Sequence, residues 1–134
     1  MALISLSEKA YKHNLRFIAK KAGGFDKLTC VLKNNAYAHG IKLIAPLAKE
    51  LGVSFIALKS QREALELESF FGEGFFRDIL ILSHRPNFEE NERFIYALND
   101  LKLIKRFKPK SRVHLVIDTG MHRNGILPQH FKRA

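Results

Sequence analysis

The feature that most constrains this chain is an alternation of short, largely apolar runs with stretches of helical spacing. Leu28–Leu32, Val53–Leu58 and Ile79–Leu82 are such runs, and Phe94–Leu98 and Val113–Ile117 follow more weakly. A strand with one wet face alternates apolar and polar residues, so runs without alternation belong to strands covered on both faces. Between them lie helix signals. A capping-box pattern from Ser5 to Glu8 opens a helix with Tyr11, Leu15, Ile18 and Ala22 as its apolar stripe, and Gly23 and Gly24 end it. Gly40–Leu51 places Ile41, Ile44, Ala48 and Leu51 on one face. Ser60 to Glu63 forms a second capping box, leading into Ala64, Leu67 and Phe71. Pro86 breaks the chain after the third run, and Asp100 caps a short helix containing Leu101 and Ile104.

This rhythm predicts an α/β fold with a parallel sheet, either open or part of a barrel. A closed barrel needs eight βα units and typically about 250 residues. The chain has 134 residues. Composition and periodicity do not choose between an open sheet and an incomplete barrel.

The balance of 46% hydrophobic and 27% charged residues is that of an ordinary soluble globular domain. No apolar run approaches the roughly 18 residues of a membrane span. Glu8, Lys9 and Lys12 interrupt any signal-peptide core, so a cytoplasmic protein without a membrane partner is expected. The single cysteine, Cys30, excludes an intrachain disulfide and a cysteine-built metal site. Its place in an apolar run reads as a buried, inert thiol, and no metal is expected. The net charge of +10 is spread over the chain and densest at Lys102, Lys105, Arg106, Lys108, Lys110 and Arg112. Such a stretch either contacts phosphates or is a solvated helix face and turn; the second reading is preferred, with no nucleic-acid partner.

Two segments carry chemistry. In Val31-Leu32-Lys33-Asn34-Asn35-Ala36-Tyr37-Ala38-His39-Gly40, a lysine stands where a buried strand gives way to a loop, at the functional end of a parallel strand. Its amine is either a Schiff-base former or a solvated strand-end charge. Tyr37 either donates its hydroxyl to a phosphate or anchors the following helix. His39 is a base, a supporting partner or a polar residue of the first helical turn. Gly40 opens a helix whose N-terminus presents N–H groups to an anion. The second segment is His114-Leu115-Val116-Ile117-Asp118-Thr119-Gly120-Met121-His122-Arg123-Asn124-Gly125. Arg123 there suits bidentate pairing with a carboxylate, or is a surface arginine; Asp118 reads as a strand-end turn residue.

The two segments together resemble the alanine racemase family, which depends on pyridoxal 5'-phosphate. The first is similar to the family pattern Val-Lys-Ala-Asn-Ala-Tyr-Gly-His-Gly, with Lys33, Asn35, Ala36, Tyr37, His39 and Gly40 matching. The second is similar to Lys-Val-Asp-Thr-Gly-Met-x-Arg-x-Gly, with Asp118, Thr119, Gly120, Met121, Arg123 and Gly125 matching. The resemblance implies that Lys33 is the catalytic, cofactor-holding lysine. It implies that Tyr37 contacts the cofactor phosphate, and that Arg123 contacts the cofactor and the substrate carboxylate. It further implies an incomplete parallel (β/α)8 barrel of about five βα units, without the family's C-terminal β domain, residues 1–134 being a truncated N-terminal portion. The implied activity is interconversion of L-alanine and D-alanine, supplying D-alanine for peptidoglycan. The full-length family is homodimeric, and a partner subunit supplies its second base, so this chain alone is expected to be inactive.

Three positions depart from the pattern. Asn34 stands for an alanine and Ala38 for a glycine. Val116 stands where many members carry a carbamylated lysine that holds the arginine. Two other readings compete. A non-enzymatic pyridoxal-phosphate-binding barrel shares the lysine but lacks the Asp118–Arg123 block, and a basic nucleic-acid-binding domain rests on net charge alone.

Overall fold

A computed structural model describes residues 3–83 and 89–133. Five strands, β1 (Thr29–Val31), β2 (Phe55–Leu58), β3 (Asp78–Ile81), β4 (Ile95–Leu98) and β5 (Arg112–Leu115), form one sheet in the order β1-β2-β3-β4-β5, and every pairing is parallel. Sequential order matters. A doubly wound open sheet reverses direction at a switch point, whereas a barrel adds each strand on the same side of the last. No reversal occurs here, so the sheet is an arc of a barrel, as the expected partial barrel requires.

The curvature is visible in side-chain contacts. In a flat sheet β2 and β5 would lie about 14 Å apart, three spacings of roughly 4.8 Å. The rings of Phe55 on β2 and His114 on β5 nevertheless meet edge to face, with centroids 5.9 Å apart. Register assigns both to the concave face, with Thr29, Val31, Asp78 and Arg112. Val31 is 42% exposed there, whereas Ile56, Leu58, Ile81 and Tyr96 on the opposite face are fully buried.

That opposite face is covered by helices. α1 (Glu8–Ala22) begins at Ser7, whose Oγ accepts the Ala10 N–H at 3.2 Å, and ends at Gly23 in the left-handed conformation. The helix thus starts within the expected Ser5–Glu8 stretch, with Ser7 rather than Ser5 as its cap. Leu15 and Ala19 face the core, while Ile18 and Ala22, expected on the buried stripe, are exposed. A left-handed turn, α2 (Lys33–Tyr37), follows β1 and leads into α3 (Ile41–Glu50), which buries Ile41, Ile44, Ala45 and Ala48. α4 (Gln61–Phe71) buries Ala64 and Leu67, and starts at Ser60 as expected. Lys12 of α1 bridges to Glu50 of α3 at 2.7 Å.

The run Phe94–Leu98, weak in sequence, becomes the most buried strand. Tyr96 is accommodated because its hydroxyl donates to Gln61 Oε1 at 2.5 Å and accepts from the Asn91 N–H at 2.9 Å. Asp100 caps a short 3₁₀ segment, Leu101–Arg106, through the Lys102 N–H. In the basic stretch, Lys108 pairs with Glu92 and Arg112 with Asp78, while Lys102, Lys105, Arg106 and Lys110 are exposed. Cys30 is half-buried rather than fully buried, because β1 is an edge strand; burial still pushes its thiol pKa up. No helix among the described residues is long and apolar enough to cross a membrane. Pro86 lies outside the described residues.

Candidate functional site at the carboxyl edge of the sheet

β1 ends abruptly. The Leu32 N–H still donates to Ala57 O on β2 at 2.9 Å, and the chain then winds left-handed. Asn34 (φ 53, ψ 52), Asn35 (φ 55, ψ 47), Ala36 (φ 52, ψ 50), Tyr37 (φ 54) and Ala38 (φ 67) form a run of positive φ without a glycine. Left-handed backbone costs roughly 1–2 kcal/mol per L-residue, least for asparagine. The turn persists because its polar groups are satisfied. Ala36 N–H donates to Leu32 O (2.9 Å), Ala38 N–H to Asn34 O (3.0 Å) and Gly40 N–H to Asn35 O (3.0 Å). Ala36 is buried at the centre of the turn, and Asn35 Oδ1 accepts the Ile41 N–H at 2.7 Å.

Gly40 does cap α3, and of the N–H groups in its first turn the one on Ile41 is taken by Asn35. His39 is exposed, with Nδ1 2.9 Å from Ala36 O, so one ring nitrogen serves the turn itself.

The turn sets the positions of the two sequence-predicted residues it carries. Lys33 is half-buried at its start, with Nζ 5.9 Å from the Tyr37 ring centroid. Tyr37 is 55% exposed, so it is not an anchor beneath the helix; its hydroxyl is available to a ligand. A recess of about 180 Å³ beside it is lined by Tyr11, Val31, Leu32, Ala36, Tyr37, His39 and Ile44. Burial, with an added contribution from nearby Cys30, pushes the Tyr11 phenol up to about 12. It therefore stays neutral at physiological pH. A larger cleft of about 620 Å³ lies between the turn and α4, and none of Lys33, Tyr37 and Arg123 lines it.

Sequence reading missed a further residue. Glu63 belongs to a capping box, whose glutamate ordinarily returns to the N–H of its own cap. Here Ser60 Oγ accepts the Glu63 N–H at 3.4 Å, but the Glu63 carboxylate accepts elsewhere. Oε1 takes the Asn34 N–H at 2.9 Å and Oε2 the Lys59 N–H at 2.8 Å. The first of these bonds spans 29 residues. No local pattern in the sequence signals it.

The second segment closes on itself beyond β5. Asp118 N–H donates to Ile126 O at 3.0 Å and Ile126 N–H to Val116 O at 2.8 Å. Asp118 Oδ1 accepts the Gly120 and His122 N–H groups, each at 3.0 Å. The Gly120 N–H first, then the His122 N–H, hold its carboxyl below the usual carboxylate range. Arg123 lies on this loop, exposed, and no hydrogen bond or ion pair among the described residues involves it. Because the strands are parallel, Lys33 after β1 and Arg123 after β5 share the carboxyl edge, at opposite ends of the arc. The structure brings Lys33 and Tyr37 together; it does not bring Arg123 into contact with either.

An amine and a phenol at one end of the arc, and an unpaired guanidinium at the other, suit an anionic carbonyl cofactor and a substrate carboxylate. Among the described residues no group of His, Cys, Asp and Glu is arranged to hold a metal.

Comparison with known proteins agrees with this architecture. Residues 6–134 match the family model described as alanine racemase, N-terminal domain. The chain is 58% identical over 134 residues to an alanine racemase of Campylobacter jejuni subsp. jejuni, covering all of this chain and 39% of that protein. Among solved structures, alanine racemase from Streptomyces coelicolor A3(2) superposes with a TM-score of 0.78 at 25% identity, over 90% of this chain and 34% of that one. Alanine racemase from Corynebacterium glutamicum gives 0.75 at 26% identity, over 93% and 38%. The chain thus spans well under half the length of the relatives it matches, and that span is their N-terminal barrel part. With the sequential parallel arc, the lysine at the end of β1 and the family model agreeing over almost the whole chain, the protein belongs to the alanine racemase family, through its N-terminal domain.

Proposed function

We propose that this chain carries the lysine half of an alanine racemase site: it binds pyridoxal 5'-phosphate through Lys33 and serves the interconversion of L-alanine and D-alanine. In this reading residues 1–134 are the N-terminal portion of a barrel domain, working in the cytoplasm as part of a homodimeric enzyme.

The observation that carries the reading is the position of Lys33. It ends a parallel strand, is half-buried, and is followed by a turn that faces a phenol towards the same edge. Lys33 Nζ would hold the cofactor, and its amine is the group suited to take and return a proton at substrate Cα. The Tyr37 hydroxyl donates to the phosphate. The Arg123 guanidinium pairs with the substrate carboxylate, which orients Cα towards Lys33. Pyridoxal phosphate, when bound, supplies the electron sink that makes Cα–H cleavage accessible.

Val116 gives Arg123 no anionic brace, and Arg123 has no carboxylate partner among the described residues. Its guanidinium is therefore left for the substrate carboxylate alone to hold. Racemisation also needs a proton-handling group on each face of Cα, and this reading assigns one here. The 134-residue chain alone is thus expected to turn over little or no alanine. A coupled assay for D-alanine on the purified chain with added cofactor tests this. Turnover near that of a full-length relative would overturn it.

A further inference from the structure

We infer that Glu63 is the positioning residue for Lys33, acting through the Asn34 backbone N–H; this rests on the reading of Lys33 as the cofactor lysine. The peptide that joins Lys33 to Asn34 is where the chain changes hand, from Leu32 (φ −115) to Asn34 (φ 53). Holding that peptide plane restrains the Lys33 main chain, from which the side chain projects. The plane's N–H has no strand partner, because the β1–β2 ladder has ended at Leu32. Glu63 Oε1 takes it at 2.9 Å, while Oε2 holds the Lys59 N–H at 2.8 Å. One carboxylate thus ties the residue after Lys33 to the residue after β2.

The bonding is specific to a carboxylate. Both N–H groups need acceptors, and a glutamine amide presents one acceptor oxygen and an NH₂ that opposes the second donor. Glu63 forms no ion pair among the described residues, and its carboxylate accepts two backbone amides beside the N-terminus of α4. Strained left-handed backbone requires surrounding structure to over-determine it. Glu63 supplies that constraint at the first strained residue, and Asn35 supplies it at the second through the Ile41 N–H.

Ser60 provides the control. Its hydroxyl caps the same helix through the Glu63 N–H but does not touch the Asn34 turn. Glu63→Gln and Ser60→Ala should therefore both lower thermal stability, yet differ at Lys33. The test measures pyridoxal 5'-phosphate affinity and the share of borohydride-fixed label on Lys33, for wild type and both variants of the full chain. Glu63→Gln is expected to raise Kd about tenfold or more and shift label towards other lysines, with Ser60→Ala close to wild type. Amide exchange in the cofactor-free wild type gives an independent readout: the Asn34 N–H is expected to be protected. Unchanged Lys33 labelling in Glu63→Gln, or an unprotected Asn34 amide in the wild type, overturns the role of Glu63 while leaving Lys33 as the cofactor lysine. Absence of label on Lys33 in the wild type overturns both.

Discussion

Arg112 on β5 closes an ion pair with Asp78 on β3, reaching across β4, and Arg77 pairs with the same carboxylate at 2.7 Å. Burial alone would raise the Asp78 pKa; the two guanidiniums override it and hold the carboxyl below its usual range. A group with a depressed folded pKa stabilises the fold above its unfolded value, about 3.9 for aspartate, and that contribution is lost as pH falls through the folded value. Asp78→Asn should remove this part of the acid dependence and cost roughly 1 kcal/mol at pH 7, between the values for exposed and buried pairs. Urea titrations of both proteins at neutral and acidic pH check it: the gap between them should narrow in acid.

Ala38 is strained. Its φ of 67 places an L-residue where the family pattern has glycine. Ala38→Gly relieves about 1–2 kcal/mol of steric cost and gives back part of it as unfolded-chain entropy. A net gain of roughly 0.5–1 kcal/mol is expected in the urea midpoint. Asn34→Ala should move stability the other way, because asparagine tolerates φ 53 better than alanine does.

The Asp118 loop tolerates no side chain at Gly125. With φ 146, a Cβ there would sit 2.8 Å from the Asp118 backbone nitrogen. Gly125→Ala should destabilise the loop by about 1–3 kcal/mol and free the Gly120 and His122 amides to exchange. The same amides should open in wild type as acid protonates Asp118, since its carboxylate accepts both. Amide exchange followed against pH reads both effects.

The parts of the fold legible in the sequence were those set by local burial. β2 and β3 follow from their apolar runs, whose helix-facing residues Ile56, Leu58, Ile79 and Ile81 are buried, and α4 begins at the expected serine. Where distant groups decide, the sequence is silent. The Tyr96 hydroxyl is satisfied by Gln61, 35 residues away, so a strand that looked diluted is wholly buried. Either of two serines could start α1, and packing against the sheet chose Leu15 and Ala19 for the buried face, leaving Ile18 outside. At the candidate site, the motif around Lys33 was visible as residues. Its left-handed hand and its tether to Glu63 were not, because alanine and tyrosine give no hint of positive φ.

The site of cofactor attachment decides whether Lys33 is the cofactor lysine. The purified chain is incubated with pyridoxal 5'-phosphate, reduced with borohydride, digested and mapped by mass spectrometry. Label is expected to concentrate on Lys33 and to be lost in Lys33→Ala. Label spread over the exposed lysines, or unchanged by Lys33→Ala, would contradict that role.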